Sequence, residues 1–346
     1  MSGDASVGTD LVIRGYRDDD ETEVLSLLRG SLGEGPAGQR SSAYFRWKHL
    51  ENPFGRSFMI LAEHGGRIIG FRALMRWRFR IDDRSIQAVR PVDTVTHPDH
   101  RGQGVFSMLT RTALDLLRED VDVVFNTPNR NSLPGYVKMG WKVVGQVPVR
   151  IRICRPASFI AWKLRRDRAA QEAPSVRPTI EAPTAADALA EGAAIGALLG
   201  SSEVSAGRYS TQRSVEYLRW RYGAAPLLGY HAVQEERSGD LIGMAFFRLR
   251  PEGPLWGASV GEVIVRPGDV ATARKLLKAV RRTADVAYVA TSFPTGTAAA
   301  QGARGAMSIR APRGMTFVVN PLRPTLDPDP HRLLSWALST GDVEVF

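Results

Sequence analysis

The chain has 346 residues, of which 43% are hydrophobic and 24% charged, and its formal net charge is +10. This length favours two globular domains of roughly 150–170 residues, with enough apolar material for a core. The single cysteine, Cys154, excludes an internal disulfide and favours a reducing compartment. Because the sequence shows neither a secretory signal nor an apolar run near the roughly 20 residues that span a bilayer, we expect a cytoplasmic protein.

The first half of the chain predicts a sheet with helices packed on it. Some segments carry apolar residues at helical spacing, and others carry them at strand spacing or as short buried runs. In chain order, the predicted elements are a helix ending near Gly30, strands at 57–63, 67–80 and 87–96, a helix at 105–118, a strand at 121–125, a short helix at 132–139 and a final strand at 141–153. A strand–helix–strand unit after a run of strands predicts a mixed α/β sheet, mostly antiparallel.

The second half of the chain repeats the first. Segments that begin at Ser42 and at Ser214 share six residues at an offset of about 173. The matched pairs are Tyr44 and Tyr217, Arg46 and Arg219, Trp47 and Trp220, Pro53 and Pro226, Ile69 and Ile242, and Gly70 and Gly243. Two copies of this length indicate duplicated domains, since solenoid repeats are only 20–50 residues long. Recurrence in both copies favours a packing role for the aromatic pairs.

The repeat also predicts the domain boundaries. The expected units are a tail at 1–11, a first domain at 12–155, a basic helix and linker at 156–178, a second domain at 179–322 and a C-terminal tail at 323–346. Within that last tail, residues 331–338 predict a short helix.

Positive charge is concentrated between the two copies. Residues 150–168 carry seven basic residues against one Asp, with Phe159, Ile160 and Trp162 among them. Such a helix could lie on an anionic membrane surface; the alternative is a solvated helix packed between the domains. Nothing in the sequence resembles a helix-turn-helix, zinc finger or RNA-binding signature, so we expect no nucleic-acid partner.

A glycine-containing loop joins a predicted strand to a predicted helix between Val92 and Phe106. The N–H groups at a helix start lack partners and, together with the helix dipole, favour a bound pyrophosphate. Gly102 and Gly104 allow a phosphate to approach the backbone closely, and Arg101 adds a fixed positive charge. This stretch therefore predicts an anion site.

Two motifs resemble those of the GNAT superfamily of acyltransferases. The segment from Arg101 resembles its acyl-CoA signature, Arg-x-x-Gly-x-Gly/Ala, except that Phe106 stands where the family has Gly or Ala. The segment from Asn129 through Tyr136 to Trp141 resembles its Asn…Tyr-x-x-x-Gly-Phe motif. The resemblance covers roughly residues 12–150. It implies two tandem GNAT-like domains and acetyl-CoA, or another acyl-CoA, as co-substrate.

The resemblance also implies roles for individual residues. Backbone groups of Val95 and Thr96 would bind pantetheine and polarise the thioester carbonyl, and Asn129 would approach the pantetheine arm. Tyr136 would protonate the departing thiolate. Alternatively, Tyr136 is only a half-buried aromatic residue on a short helix, and Asn129 is a turn residue whose side chain bonds its own backbone. The residues expected to bind the co-substrate are Val95, Thr96, Arg101, Gly102, Gln103, Gly104, Val105, Phe106 and Asn129.

The acceptor amine must lose a proton, so a general base or a water chain is expected. Asp93 is the candidate base; the alternative is a carboxylate at the strand end, paired with an arginine such as Arg90. In some tandem relatives the C-terminal carboxylate is the base, and here that group would belong to Phe346, unless the tail is frayed. His97 and His100 flank the loop without a third ligand at metal spacing, so no metal is expected.

The second copy lacks the loop. His97-Pro98 aligns with Arg266-Pro267, and Gly268-Asp269 then leads directly into a predicted helix. Since Asp269 would repel a phosphate, we expect this copy not to bind CoA, but to cover the acceptor cleft or complete the core.

The expected activity is acyl transfer from acyl-CoA to a primary amine of a small molecule, by direct attack in a ternary complex. One alternative is a non-catalytic, regulatory protein that binds acyl-CoA. Another is an acyltransferase that uses a longer acyl-CoA or an acyl-carrier protein on a sugar-linked or lipid-linked acceptor. The sequence identifies neither the acceptor nor the oligomeric state.

Overall fold

The computed structural model of the protein describes residues 11–32, 40–164, 176–202 and 205–343. Over these residues the chain forms two mixed, mostly antiparallel sheets flanked by helices, which confirms the predicted fold class. No helix in this part of the chain is long and apolar enough to cross a membrane.

The first half contains most of the predicted elements. Its helices and strands are, in chain order, β1 (Leu11–Gly15), α1 (Glu21–Leu32), α2 (Ser42–His49), β2 (Phe58–His64), β3 (Arg67–Ile81), β4 (Arg84–Thr96), α3 (Val105–Leu117), β5 (Val123–Asn126), α4 (Leu133–Lys138), β6 (Lys142–Val147), β7 (Arg150–Ile153) and α5 (Pro156–Leu164). The spacing of apolar residues does not predict α2, whose N-terminus is capped by the side chain of Ser41.

The second half repeats most of this order and has an additional short strand between its first helices. Its elements are α6 (Ala185–Ala188), α7 (Gly192–Gly200), β8 (Tyr209–Thr211), α8 (Val215–Leu218), β9 (His231–Arg237), β10 (Asp240–Glu252), β11 (Leu255–Val265), α9 (Val270–Arg282), β12 (Tyr288–Thr291), α10 (Ala298–Gly305), β13 (Ile309–Arg310), β14 (Met315–Pro321), β15 (Trp336–Ala337) and α11 (Thr340–Val343). Of the helix predicted at 331–338, only a 3-10 turn at Leu333–Ser335 forms. Trp336 begins β15 instead, because its buried ring stacks on Tyr209 and its N–H donates to the carbonyl of Pro330.

Each sheet contains strands from both halves of the chain. The first sheet has the order β1-β2-β3-β4-β5-β14-β6, with β8 on part of β3, and the second has the order β9-β10-β11-β12-β7-β13. The single final strand predicted at 141–153 is therefore wrong. The chain leaves the first sheet at Val147 and enters the second at Arg150, after Pro148, which cannot donate a ladder hydrogen bond. Each sheet is completed by a strand from the other half.

The repeated tryptophans lie at the centre of this exchange. The indole N–H of Trp47 donates to the carbonyl of Trp220 at 2.7 Å, and the indole N–H of Trp220 donates to the carbonyl of Trp47 at 2.8 Å. Their rings stack with centroids 5.3 Å apart. Reciprocal contacts of this kind are typical of an isologous interface. The two copies thus meet as the subunits of a symmetric dimer do, and Trp47 packs as its recurrence suggested.

Three clusters of buried side chains hold the layers together. The largest combines residues of both copies, including Trp47, Trp77 and Trp220. The second lies under α9, around Leu276, and the third lies under α3, around Leu109. Each sheet therefore has one face on a shared core and the other face on its own helices.

The same glycine lets a helix approach a strand closely in both copies. A Cβ added to Gly70 on β3 would lie 2.7 Å from Val105 of α3, and a Cβ added to Gly243 on β10 would lie 2.7 Å from Thr272 of α9. Such distances are shorter than van der Waals contact, so only glycine fits without displacing the helix. This fixes the height of α3 above the sheet, and with it the position of the loop that precedes it.

Candidate active site

A cleft opens in the first sheet where two parallel strands separate. β4 and β5 pair only at Ala88–Val123 and Val89–Val124, although β4 continues to Thr96. The space beyond these pairs has a volume of about 890 Å³, which is within the usual range for ligand sites. The predicted site residues among its lining are Asp93, Val95, Thr96, Arg101, Phe106, Asn129 and Tyr136. The rest, which are Gly102, Gln103, Gly104 and Val105, lie in the adjoining loop and at the start of α3.

A β-bulge sets the direction of the last residues of β4. The register between β3 and β4 shifts so that Asp93 and Thr94 both lie opposite Arg72. The backbone of Asp93 has a φ of 43°, in the left-handed region that few residues other than glycine adopt. This bulge turns the carboxylate of Asp93 towards α2 and the side chain of Thr94 towards Arg72.

Beyond the bulge, backbone pairing favours one residue as the donor to a ligand. The N–H of His97 donates to the carbonyl of Ile69 at 2.8 Å. Bonded and non-bonded pairs alternate along an antiparallel ladder, so the next pair, Thr96 with Gly70, is non-bonded. The N–H of Thr96 therefore points away from β3, into the cleft, whereas that of Val95 is directed to β3. The geometry favours Thr96 over Val95 as the backbone donor.

The loop before α3 has the geometry of an anion site. Gly102 and Gly104 have φ values of 77° and 81°, and a Cβ on either would meet no atom within 4 Å, so the space above them is open. The first hydrogen bond of α3 runs from the N–H of Met108 to the carbonyl of Gly104. The N–H groups before it have no partner within the helix and point to the same space. With exposed Arg101 at the cleft edge, these donors fit a pyrophosphate.

The side chain of Gln103 stabilises this loop through contacts inside the loop itself. Its amide donates to the carbonyl of Asp99 at 3.3 Å, and its carbonyl oxygen lies 3.2 Å from Nδ1 of His100. Both contacts lie inside the loop, so the side chain holds the turn in shape. The contribution of Gln103 to a ligand would come from the backbone.

Phe106 forms an aromatic wall of the cleft. Its ring lies 3.2 Å from where a Cβ on Gly135 would be, so α4 approaches the start of α3 closely at this point. The guanidinium of Arg72 lies 5.1 Å from the ring centre, and the ring of Tyr136 lies 5.9 Å away, edge to face. An aromatic residue at this signature position thus narrows the cleft beside Tyr136.

Tyr136 lies in the wall of the cleft beside a buried cation. Its ring packs against Trp141, and its hydroxyl accepts a hydrogen bond of 3.5 Å from Arg72. The same guanidinium nitrogen donates to the hydroxyl of Thr94 at 2.9 Å. Arg72 is fully buried and, among the described residues, its Nε and second terminal nitrogen have no hydrogen-bond partner and no acidic group pairs with it. A preorganised cation of this kind stabilises negative charge that develops next to it.

The side chain of Asn129 holds a turn. Its Oδ1 accepts hydrogen bonds from the backbone N–H of Asn131 at 3.0 Å and of Ser132 at 2.9 Å. This is the turn alternative expected for an Asn in a loop. Asn129 still lines the cleft, with its side-chain oxygen engaged at the start of α4.

Asp93 lies in a cluster of basic groups. Its carboxylate is 2.8 Å from the guanidinium of Arg40, 2.8 Å from Nζ of Lys48 and 3.0 Å from Nε2 of His49. Burial alone would raise the pKa of Asp93, but the charge of Lys48 and the hydrogen bond with His49 outweigh burial and hold that pKa well below its usual range. The alternative of a carboxylate paired with an arginine is therefore met, but the arginine is Arg40 and not Arg90. A carboxylate so tightly paired is a weak proton acceptor.

The second copy contains an equivalent carboxylate. Glu262 lies four residues before Arg266, as Asp93 lies four residues before His97. It accepts hydrogen bonds from Arg213 at 2.6 Å and from Tyr222 at 3.3 Å, and burial raises the pKa of Glu262. A carboxylate at this position in both copies, only one of which has the glycine loop, indicates a role in the architecture. This recurrence favours a positioning role for Asp93.

Arg90 instead anchors the end of the described chain beside the cleft. Its guanidinium donates to the carbonyls of Asp342 at 2.7 Å and Val343 at 2.6 Å, and to the hydroxyl of Thr127 at 2.8 Å. Thr127 lines the cleft and itself donates to the carbonyl of Val343. The carboxylate of Phe346, the other predicted base, lies outside the described residues.

In the second sheet the corresponding space is filled by the chain itself. β11 and β12 run parallel, as β4 and β5 do, and α11 packs on β11. The N–H of Thr340 donates to the carbonyl of Ser292, and the N–H of Ser292 donates to the hydroxyl of Thr340, both at 3.0 Å. The carboxylate of Asp269 accepts from the N–H of Thr272 and so caps the start of α9. Both features that the first copy leaves open, the cleft and the helix start, are therefore occupied in the second.

Comparison with known protein families agrees with this geometry. Residues 12–144 match the family model of the GNAT acetyltransferase domain. This part of the chain is a GNAT domain. The matched residues contain the cleft, the glycine loop and Tyr136. A comparison with curated protein sequences gives no match.

The fold of the whole chain is similar to that of solved GNAT proteins. A GCN5-related N-acetyltransferase from Anabaena variabilis ATCC 29413 has a TM-score of 0.62 at 12% identity, over 90% of this chain and 73% of that one. A conserved protein of unknown function from Enterococcus faecalis V583 gives 0.62 at 12%, over 91% and 73%. A GCN5-related N-acetyltransferase from Kribbella flavida gives 0.55 at 16%, over 90% and 71%. At these identities the similarity shows a shared fold, in which the second half of the chain takes part.

Proposed function

We propose that the protein transfers an acyl group, most simply acetyl, from acyl-CoA to a primary amine of a small molecule. The observation that carries this proposal is the cleft between β4 and β5. Unpaired N–H groups of α3 lie at one end of it, and Tyr136, whose hydroxyl accepts a hydrogen bond from the buried Arg72, lies in its wall. One end suits a pyrophosphate, and the other offers a proton donor at the place where a thioester would lie.

Each group has a distinct part in the proposed reaction. The start of α3 and Arg101 bind the pyrophosphate, while the N–H of Thr96 binds the pantetheine arm or the thioester carbonyl. The amine nitrogen attacks the carbonyl carbon, and the carbon–sulfur bond breaks as the tetrahedral intermediate collapses. Tyr136 gives its proton to the departing thiolate, and the N–H of Arg72 stabilises the phenolate that remains.

The proton of the amine goes to water in this proposal. Asp93 is held by three basic groups, so a base role for it would require breaking a buried ion-pair cluster. A chain of water molecules in the open cleft can carry the proton to bulk solvent, since an amine with a pKa near the working pH needs no strong base.

Release of free thiol from acetyl-CoA in the presence of a panel of amines tests the proposal. Turnover that depends on the amine and disappears in Gly104→Glu is the expected result. Acetyl-CoA binding without turnover on any amine would favour the non-catalytic alternative. Turnover only with a longer acyl-CoA or an acyl-carrier protein would identify a different acyl donor, and the cleft would still be the site of the reaction.

A further inference from the structure

A second cavity lies at the seam of the two sheets, where β6 of the first sheet leads into β7 of the second. It has a volume of about 360 Å³, and none of its lining residues also lines the cleft described above. Four arginines from four segments of the chain line it, and no Asp or Glu does among the residues that the structure describes. These arginines are Arg150, Arg208, Arg304 and Arg310.

Neutral oxygens hold one of these arginines in place. Arg150 donates from Nε to the hydroxyl of Ser308 at 2.9 Å and also donates to the carbonyl of Ser308. Ser308 is buried and donates from its own hydroxyl to the carbonyl of Ala303. In the described part of the chain no acidic group lies within ion-pair distance of Arg150, Arg304 or Arg310. The charge of Arg150 is therefore oriented without being neutralised, and the exposed Arg304 and Arg310 add positive charge beside it. Such a group of cations suits an anion.

The floor of the cavity is apolar. Its large side chains are Phe293, Leu333, Trp336 and Leu338, and Leu334, which is 77% exposed, stands at the edge. Trp336 is rigid because it stacks on a neighbouring ring and its N–H is bonded to a backbone carbonyl. A floor of this kind accepts a hydrocarbon or aromatic group, while the guanidinium groups accept the charged end of the same molecule.

We propose that this seam cavity binds an organic phosphate, a monoester whose dianionic head meets the arginines and whose apolar part lies on the Trp336 floor. Several guanidinium groups favour a dianion over a single charge, and guanidinium groups bind phosphate oxygens two at a time. The ligand contacts β6, β7 and β13 together, so its binding bridges the two sheets at the point where the chain crosses between them. This site is separate from the acyl-CoA cleft and does not depend on the proposed reaction.

Calorimetric titration of the full chain with phenyl phosphate and with inorganic phosphate tests the proposal. We expect one phenyl phosphate per chain, and inorganic phosphate weaker by about tenfold because it lacks the apolar part. The double variant Arg304→Gln, Arg310→Gln should bind phenyl phosphate about 30-fold more weakly. The matched double variant Arg237→Gln, Arg266→Gln removes two exposed arginines of the same half outside the cavity, and it should bind as the wild type does.

Two further variants identify the site. Leu334→Glu places a carboxylate at the edge of the cavity and should weaken binding without changing an arginine. It therefore tests the site even if the double arginine variant does not fold. Gly104→Glu blocks the acyl-CoA loop and should leave phenyl phosphate binding unchanged. Absence of phenyl phosphate binding, an equal loss in the matched arginine control, or a loss confined to Gly104→Glu would each overturn the proposal.

Discussion

Tyr136 is the residue on which the proposed chemistry depends most. Its replacement by Phe removes the proton donor and keeps the ring that packs against Phe106 and Trp141. Since a positioned acid contributes typically 10²–10⁴-fold, we expect kcat to fall at least about 100-fold while the Kd for acetyl-CoA changes little. Steady-state kinetics with calorimetry measures both. An unchanged kcat in Tyr136→Phe would assign the proton transfer to another group.

Replacement of Asp93 distinguishes a positioning role of this residue from a role as the general base. Replacement by Asn leaves Lys48 buried without its counter-charge, so we expect the free energy of unfolding to fall by about 3 kcal/mol. The acid limb of the pH–rate profile should stay where it is in the folded variant. Asp99→Asn, at an exposed carboxylate in the turn that follows β4, should change neither quantity. Loss of the acid limb in Asp93→Asn would restore Asp93 as the base.

The difference in the free energy of unfolding between the wild type and Asp93→Asn should depend on pH in a defined direction. The pKa of Asp93 is held well below its usual value in the folded protein, whereas in the unfolded chain it is about 3.9. The stabilisation is therefore fully present above about pH 4 and is lost as the pH falls below that value, because the unfolded chain then takes up a proton first. Denaturation curves of wild type and Asp93→Asn should converge in that acidic range.

Some residues of the site could be predicted from sequence and others could not. Tyr136 and the glycine loop lie within short motifs whose chemistry is local. Arg72 is one of five arginines in β3, and only the fold distinguishes it from the others, by burying it completely. Lys48 and His49 meet Asp93 only through folding, from more than 40 residues away along the chain, so no local pattern indicates them.

At the scale of elements, the packing of α3 on β3 fixes the loop that precedes α3. A methyl group at Gly70 would lie 2.7 Å from Val105 and 3.0 Å from Leu109, so Gly70→Ala should destabilise the protein by about 1–3 kcal/mol. Gly243→Ala meets Thr272 and its neighbours at the same distances and should cost a similar amount.

Only the first of these variants should affect the ligand. Gly70→Ala displaces the start of α3, and we expect it to raise the Kd for acetyl-CoA several-fold, whereas Gly243→Ala displaces a helix whose start is capped by Asp269. Thermal denaturation and calorimetry on both variants measure this. An equal loss of affinity in the two would contradict a ligand site confined to the first copy.

Helices and strands could be predicted where the spacing of apolar residues is regular over a long, continuous segment. The strands at 57–63, 67–80 and 87–96 and the helix at 105–118 agree with β2, β3, β4 and α3 to within a few residues. The segment at 141–153 fails because its apolar pattern continues across Pro148 while the chain changes sheets. Which sheet a strand joins depends on partners more than 130 residues away along the chain, and alternation of apolar residues carries no such information.

At the scale of the whole molecule, the exchanged strands make each half depend on the other. β14 completes the first sheet, β7 completes the second, and the Trp47–Trp220 pair closes the shared core. We therefore expect a single cooperative transition in calorimetric unfolding, with both halves lost together. Two well-separated transitions, each with the enthalpy of about half the chain, would contradict a shared core.

The equivalent positions in the two copies also differ in whether they leave space for a ligand. In the first copy the diverging strands leave a cleft, and in the second α11 fills the corresponding space. A glycine with a positive φ nevertheless precedes the helix in both copies: Gly104 has a φ of 81° and Gly268 a φ of 72°, each with open space where a side chain would begin. The two positions therefore provide variants with the same strain and the same added charge.

Titration of acetyl-CoA into the wild type, Gly104→Glu and Gly268→Glu by calorimetry tests the central claim most directly. We predict one acetyl-CoA per chain in the wild type and in Gly268→Glu, and no measurable binding to Gly104→Glu. Unchanged binding to Gly104→Glu, two sites per chain, or no binding by the wild type would contradict an acyl-CoA site in the first copy.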